Sequence, residues 1–120
     1  SVSTTLLHYP SFVLDVKNAI SSGLVKDKID QVKTAQVLIL DDIGAEQSSP
    51  WMRDEILQVI LQHRMQENLP TFFTSNFSFA DLERHFASSK NGDETWQAKR
   101  VMERIKFLAQ EVRLEGENRR

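Results

Sequence analysis

The feature that most constrains the fold is a run of four apolar residues that ends in two acids. The run at 37–40 reads Val-Leu-Ile-Leu, and Asp41 and Asp42 follow it directly. An apolar run without polar alternation is typical of a strand that is buried on both faces of a parallel sheet. Such a sheet needs helices to cover it, so the run predicts an α/β domain.

The rest of the chain alternates between strand-like and helix-like segments, as a parallel sheet requires. The chain has 120 residues, enough for one domain, 1–120. Strands are predicted at 4–9, 37–40, 71–75 and 112–114, and helices at 11–22, 24–33, 50–67, 78–86 and 96–108, with a surface loop at 87–95.

Three serines stand where helix caps are expected. Ser11 follows Pro10, Ser49 precedes Pro50, and Ser78 stands three residues before Asp81. The first predicted helix buries its apolar side at helical spacing, with Ile20 near its end. The helix after Ser49 is expected to bury one stripe of side chains, namely Met52, Ile56, Val59, Ile60 and His63.

Composition excludes several classes of function. The formal net charge is -2, so no overall basic field indicates nucleic-acid binding. The absence of cysteine excludes a disulfide scaffold and a zinc–thiolate site. No apolar run reaches the roughly 20 residues that span a bilayer, so no membrane contact and a cytoplasmic location are expected.

The two acids after the apolar run are candidates for metal chemistry. A strand that ends in a carboxylate at the edge of a parallel sheet can hold Mg²⁺ beside the phosphates of a nucleotide. Asp41 would then organise the metal, and Asp42 would lie near the attacking water as a general base. The acids could equally be an ordinary strand end at a turn, and the run alone does not separate these alternatives.

Other polar residues could contribute to a nucleotide site at the same edge of the sheet. Asn76 follows the strand at 71–75 and could bind the attacking water or a phosphate, although an Asx-turn explains it as well. Arg100 and Arg104 share a helix face and suit phosphate oxygens, although a solvated face is the simpler explanation. The three histidines lack metal-ligand spacing and are interpreted as structural, and both tryptophans as packing residues: His8, His63, His85, Trp51 and Trp96.

The order of these features along the chain resembles that of the AAA+ ATPases. The amino-acid sequences of several segments resemble those of one branch of this class. The matching segments lie at 37–46, 53–55, 60–64, 70–78, 100–105 and 116–120. The branch is that of the bacterial replicative-helicase loaders of the DnaI/DnaC type, and the resemblance is closest to the primosomal DnaI loaders of Gram-positive bacteria. It implies an AAA+ three-layer core with a parallel sheet.

The resemblance implies a role for each of Asp41, Asp42 and Asn76. Asp41 corresponds to the Walker B aspartate that binds Mg²⁺, directly or through water. Asp42 stands where most AAA+ proteins carry a catalytic glutamate, and its shorter side chain implies slow hydrolysis. Asn76 corresponds to the sensor-1 residue, which contacts ATP and contributes to catalysis.

The resemblance also implies roles for arginines and a set of partners. Arg104 corresponds to the arginine finger offered to a neighbouring subunit's ATP, with Arg100 as a second candidate, and Arg120, or else Arg119, to sensor 2. The implied cofactors are ATP and Mg²⁺. The implied partners are the replicative DNA helicase, single-stranded DNA and further copies of the chain, as in a primosome component that delivers the helicase during replication initiation or restart.

One expected motif is absent from these 120 residues. None of the four glycines belongs to a Gly-x-x-x-x-Gly-Lys-[Ser/Thr] segment, which cradles the phosphates in this class. We therefore interpret the chain as the C-terminal part of an AAA+ domain that lacks the P-loop strand and helix. Alone it is expected to bind ATP poorly and not to hydrolyse it. The alternatives are a transposon-type ATPase subunit and a degenerate, non-catalytic protein-interaction module.

A contact with single-stranded DNA is also predicted near the start of the chain. Four lysines lie on the first two predicted helices: Lys17, Lys26, Lys28 and Lys33. Asp15, Asp27 and Asp30 are interleaved with them, so a solvated lysine face explains the pattern equally well.

Overall fold

The computed structural model describes the backbone of residues 1–90 and 92–118, and side chains as far as residue 109. Its strands are β1 (Thr4–His8), β2 (Val37–Asp41), β3 (Thr71–Phe73), β4 (Ser88–Ser89) and β5 (Gly92–Asp93). Its helices are α1 (Tyr9–Ala19), α2 (Val25–Lys33), α3 (Gln58–Gln66), α4 (Phe79–Ala87) and α5 (Thr95–Asn118), and a π-helical segment, Met52–Leu57, leads into α3. No helix in the described part of the chain is long and apolar enough to cross a membrane.

The first three strands form one parallel sheet with β2 at its centre. The order is β1-β2-β3, and Ile39 of β2 pairs with Leu6 on one side and with Phe72 on the other. All three strands run in the same direction, so their carboxyl ends meet at one edge. The predicted α/β architecture with a parallel sheet is confirmed.

The central strand is buried on one face only, which corrects the prediction of two buried faces. Leu38 and Leu40 are fully buried in the core, whereas Ile39 is half-buried. On the second face, the neighbours of Ile39 in the pairing register are open to solvent, since Leu6 is 68% and Phe72 37% exposed.

The first helix begins earlier than predicted. Its N-cap is His8, not Ser11, and Pro10 lies in its first turn, where the missing N–H costs nothing. Ser11 instead places its hydroxyl 2.8 Å from Nδ1 of His8. The helix ends at Ala19, so Ile20 lies outside it and is exposed rather than part of the core.

A π-helical segment changes which side chains the third helix buries. Ser49 caps this helix as predicted, because its Oγ accepts a hydrogen bond from the N–H of Met52 at 3.2 Å. The wider turn of Met52–Leu57 then rotates the following residues about the helix axis. Val59 is therefore exposed, and the buried positions after the segment are Ile60, Leu61 and Arg64.

A fully buried arginine joins the helical layer to the sheet. Arg64 donates hydrogen bonds to the carbonyl of Ala35 at 2.7 Å and to the carbonyl of Pro70 at 2.8 Å. Its Nε donates to Oγ1 of Thr71 at 2.7 Å. These acceptors lie in the segments that lead into β2 and β3, so Arg64 fixes where both strands begin. Burial lowers the pKa of Arg64 to about 10.

The C-terminal third differs from the prediction in three places. Strand β3 ends at Phe73, so the predicted strand at 71–75 is two residues too long. The predicted loop at 87–95 contains the short antiparallel pair of β4 and β5. The predicted strand at 112–114 is wrong because α5 continues through Asn118, in a stretch rich in helix-forming glutamate, arginine and leucine.

Candidate functional site

Asp41 and Thr74 meet at the carboxyl edge of the sheet. Asp41 is the last residue of β2, and Thr74 follows β3 directly. The Thr74 hydroxyl donates a hydrogen bond to Oδ1 of Asp41 at 2.7 Å and accepts one from the N–H of Asp42 at 2.8 Å. The N–H of Thr74 donates to the carbonyl of Leu40 at 3.0 Å. The Asp41 carboxylate is thus oriented by the residue that follows the neighbouring strand. Among the described residues none bonds to its Oδ2, which is available to a ligand.

Asp42 leaves the line of the strand through a left-handed turn. Its φ is +61°, a conformation that aspartate tolerates better than most residues. Its Oδ2 lies 3.5 Å from Nε2 of His8, at the end of β1. The two acids therefore have different neighbours, because Asp41 contacts the β3 side of the sheet and Asp42 the β1 side.

The loop after Asp42 is held against α4. The Glu46 carboxylate accepts a hydrogen bond from the N–H of Gly44 at 2.8 Å, and its other oxygen lies 2.7 Å from Nε2 of His85. Phe77 packs so closely on Gly44 that a Cβ there would come within 2.6 Å of the ring. Gly44 also has a φ of +108°, so this position requires glycine. These contacts restrict the turn that carries Asp42.

A buried tyrosine lies behind the same loop. Tyr9 is in the hydrophobic core, and burial, together with the charge of Glu46, raises its pKa well above the ordinary value. Its phenol therefore stays neutral beside the Glu46 carboxylate.

Asn76 is not joined to the acids, and the predicted sensor-2 residue cannot be placed. Asn76 lies in the bend between β3 and α4 and is exposed. Among the described side chains, none of its hydrogen bonds reaches Asp41 or Asp42. Arg120 and Arg119 lie outside the described residues.

Arg104 lines a cleft between α3 and α5. Its Nε donates a hydrogen bond to Oε1 of Gln62 at 2.8 Å, and no described residue bonds to the two terminal nitrogens of the guanidinium. The cleft has a volume of about 360 Å³ and includes Lys33 and Arg100. Burial, and then the nearby charge of Arg100, lowers the pKa of Arg104. The prediction that Arg100 and Arg104 share a helix face is therefore confirmed, since both line this cleft. None of the described residues that contact Asp41 lines it.

The lysines of the first two helices are partly paired with an acid. Nζ of Lys26 lies 2.7 Å from Asp30, and Nζ of Lys33 lies 3.4 Å from the same carboxylate. These pairs lower the pKa of Asp30 and raise that of Lys26. Lys17 is exposed, and Lys28 is partly buried. The surface of α2 thus agrees best with a solvated face of alternating charge.

The geometry fits a metal held jointly by protein, phosphate and water. In the part of the chain that the structure describes, no three histidines or acids converge to enclose a cation. Mg²⁺ is commonly bound by one or two carboxylates together with phosphates and waters. Asp41, with one oxygen bonded to Thr74 and the other available, fits that requirement.

Sequence reasoning missed three contact residues. Thr74 lies in the matching segment 70–78, but the resemblance to the loaders assigns a role there to Asn76 and not to Thr74. His8 was interpreted as structural, although it ends a strand next to the run with the acids. Gln62 carries no signal in the sequence, because its role depends on the rotation that the π segment introduces.

Comparison with known proteins places the chain in a family. A family model described as "IstB-like ATP binding protein" matches residues 3–120. The chain belongs to this family. This IstB-like chain is also 49% identical over 119 residues to the replicative helicase loader DnaI of Bacillus subtilis strain 168, an alignment that covers 98% of this chain and 38% of DnaI.

Solved structures resemble the IstB-like chain in sequence and in fold. A candidate primosome component from Streptococcus pyogenes serotype M3 is 63% identical, with a TM-score of 0.68, and the match covers 90% of this chain and 49% of that one. A structure of DnaI is 42% identical, with a TM-score of 0.81 and coverages of 91% and 56%. The DnaC helicase loader, at 22% identity and a TM-score of 0.69, shares the fold, with coverages of 90% and 59%.

These comparisons establish the fold class and the extent of the match. The α/β arrangement with its parallel sheet is the AAA+ fold of the DnaI and DnaC domains. The IstB-like chain spans from about two fifths to three fifths of the length of the relatives it matches.

Proposed function

We propose that this chain is the metal-organising, C-terminal part of an AAA+ ATPase domain in an ATP-dependent helicase loader. The observation that carries the proposal is the contact between Asp41 and Thr74 at the end of the central strand. It occurs in a chain of the IstB-like ATP-binding family that is 49% identical to DnaI. The proposed domain covers 1–120, and the phosphate-binding loop belongs to another part of the full-length protein.

The two acids have separate tasks in this proposal. Asp41 holds Mg²⁺ through its available oxygen, directly or through water, while Thr74 keeps the carboxylate in place. Bound Mg²⁺ neutralises charge on the β- and γ-phosphates of ATP. Asp42 accepts the proton of the attacking water, and its position next to His8 keeps it apart from Asp41. Asn76 and Arg120 contact the nucleotide as sensor residues.

Arg104 acts on the ATP of a neighbouring copy. It lies in a cleft of its own and makes no hydrogen bond with Asp41 or Asp42 among the described residues, as expected of a group that serves another subunit. Gln62 holds its Nε and leaves the two terminal nitrogens for phosphate. An arginine supplied in trans stabilises the charge that develops on the phosphates, an effect of roughly 10³-fold or more in rate.

The proposed partners are the replicative DNA helicase and single-stranded DNA. The helicase partner is supported by the names of the relatives, a replicative helicase loader and a primosome component. The loader delivers the helicase to the single strand in the cytoplasm, during replication initiation or restart. Nucleotide binding then acts as the switch that controls delivery.

Helicase loading by the full-length protein tests this function. Asp41→Ala and Arg104→Ala should each abolish loading when tested alone. A mixture of the Arg104→Ala protein with Asp41→Ala subunits should regain activity, because the two defects lie in different subunits at a shared site. Normal loading by either variant alone would contradict the assignment.

The family match supports a second candidate, a transposon-type ATPase subunit, because the matching model is described as IstB-like. Capture experiments with the full-length protein separate the two functions. Retention of the replicative helicase supports the loader, and retention of a transposase in its place supports the alternative. A protein without an intact Gly-x-x-x-x-Gly-Lys-[Ser/Thr] segment would instead be a non-catalytic interaction module.

A further inference from the structure

The solvent-facing side of α5 carries aromatic and charged side chains along one line. Trp96 is 66% exposed and Phe107 is 47% exposed, which corrects the prediction that Trp96 is a packing residue. Four exposed residues follow one another three or four positions apart and so share a helix face. The α5 stripe consists of these four residues and two exposed lysines that flank them: Trp96, Arg100, Glu103 and Phe107, with Lys99 and Lys106.

Cations in the stripe lie against exposed aromatic rings. The guanidinium carbon of Arg100 is 4.9 Å from the centre of the Trp96 ring system. Nζ of Lys106 is 5.5 Å from the centre of the ring of Phe79, which is also exposed. Glu103 is the only acid of the stripe. The surface therefore offers aromatic faces and positive charge together.

The positive surface continues into the cleft next to the stripe. Arg100 lines that cleft together with Arg104, and Asp54 is the acid among its described lining residues. A second depression of about 330 Å³ is lined by both arginines and by Phe107. By contrast, two of the four lysines on the first two helices are paired with Asp30. Available positive charge is thus concentrated on α5 rather than on α2.

We propose that the α5 stripe binds single-stranded nucleic acid, with bases stacked on Trp96 and Phe107 and phosphates paired with Arg100 and the flanking lysines. Aromatic platforms combined with a positive track are the features that bind single strands without sequence preference. Eleven residues of helix separate the two rings by about 16 Å, which leaves room for several nucleotides. The inference rests on the proposed function for its partner and assigns the contact to α5.

The chemistry of the stripe disfavours a protein helix as its occupant. A helix packed along this line would bury Arg100 and Glu103 at the centre of the contact, which carries a large desolvation cost. A nucleic acid strand leaves these charges in water or pairs them with phosphate. Arg104 lies eight residues after Trp96, about 12 Å along the helix, so stacking on Trp96 leaves the Arg104 guanidinium accessible to ATP. Phe107, which lines the second depression with Arg104, is the nearer of the two rings.

Binding of a fluorescent oligothymidylate of about 15 nucleotides to the full-length protein tests the proposal. Trp96→Ala should weaken binding by roughly 5- to 100-fold, the loss expected for one stacked base. Trp96→Phe should retain most of the affinity. Arg100→Ala should reduce the slope of log affinity against log salt by about 0.7, the value for one phosphate contact on a single strand.

Lys17→Ala combined with Lys28→Ala is the matched control, since it removes positive charge from α1 and α2, outside the α5 stripe, and should leave the affinity unchanged. Circular dichroism of each variant confirms the fold, which surface substitutions at exposed residues should preserve. Photocrosslinking with an oligonucleotide that carries 5-iododeoxyuridine should attach the strand to the peptide that contains Trp96. This readout does not depend on any substitution.

Three outcomes would overturn the proposal in distinguishable ways. If the unmodified protein binds no oligonucleotide, the single-strand partnership itself fails. If the α5 variants bind normally and the lysine control does not, the strand contacts α1 and α2 instead. If the α5 variants alter the sedimentation of the protein without changing its affinity for the strand, the stripe is an interface with a second copy.

Discussion

At the scale of single residues, Thr74 determines how the candidate metal ligand is presented. Its hydroxyl is bonded both to the carboxylate of Asp41 and to the backbone of Asp42. Thr74→Val keeps the shape of the side chain and removes both bonds. In the full-length protein we expect Mg²⁺-dependent ATP hydrolysis to fall about 10-fold, as for the loss of other groups that orient a metal ligand.

The matched control for Thr74→Val is Thr74→Ser, which restores the hydroxyl without the methyl group. Hydrolysis measured against Mg²⁺ concentration should show a higher metal requirement for the valine variant and a nearly normal one for serine. If hydrolysis by the two variants depends equally on Mg²⁺ concentration, the Thr74 hydroxyl does not orient the metal ligand.

Arg64 gives a prediction about stability. It is fully buried, and its hydrogen bonds end on backbone carbonyls and a hydroxyl rather than on a carboxylate. Arg64→Met leaves those acceptors without a donor, and the relief of a buried charge offsets only part of that cost. We expect the free energy of unfolding in urea to fall by roughly 2–3 kcal/mol.

The control for Arg64→Met is Arg84→Met. Arg84 is exposed, and its one ion pair with a described residue is with Asp81, so this change should cost about 0.5 kcal/mol or less. A loss of similar size in both variants would show that Arg64 does not connect α3 to the sheet.

At the scale of elements, the π-helical segment joins three parts of the structure. Arg53 within it is buried and donates to the carbonyl of Phe86 at 2.8 Å and to Glu94 at 2.7 Å. It also pairs with Asp54, whose hydrogen bond raises the pKa of Arg53. The segment is thereby fixed to the end of α4 and to the residue before α5.

Arg53→Met should lower the free energy of unfolding by roughly 3 kcal/mol, because it removes one partner of a buried pair and leaves a buried carbonyl without its donor. Glu94→Gln should cost much less, since the amide oxygen can still accept the bond. Urea denaturation of both variants measures the difference. Similar losses in the two would mean that the charge of Glu94, and not the position of Arg53, stabilises this region.

The sequence predicted elements well where one local signal was sufficient. The caps at Ser49 and Ser78 formed as expected because each hydroxyl meets a nearby N–H. The burial of Val59 was predicted wrongly because an ideal helical period does not allow for a π segment. The end of α5 was missed because the alternation of Val112 and Leu114 is short and equally compatible with a helix.

The candidate site was predictable in part. Asp41 and Asp42 were found because a buried strand delivers polar residues to the edge of a sheet. The distinct neighbours of the two acids were not predictable, since they depend on the left-handed turn at Asp42 and on the pairing register with β1. The proposed roles of Asn76 and Arg120 remain predictions.

At the scale of the whole molecule, the two proposed functional surfaces lie on different sides of one core. The acids are at the carboxyl edge of the sheet, whereas Arg104 and the α5 stripe lie along the third and fifth helices. A chain built in this way can offer its metal site to one neighbour and its arginine to another. Leu6, Ile39 and Phe72 lie side by side on the more exposed face of the sheet, and another part of the full-length protein can pack against that face.

Binding of a manganese complex of a slowly hydrolysed ATP analogue tests the central claim most directly. In the full-length protein, Asp41→Asn should weaken binding of the metal complex at least about 10-fold and leave binding of the metal-free nucleotide unchanged. Asp42→Asn should bind the complex normally and lose hydrolysis. An Asp41→Asn protein that binds the metal complex as tightly as the unmodified protein would contradict the assignment of Asp41 as the metal ligand.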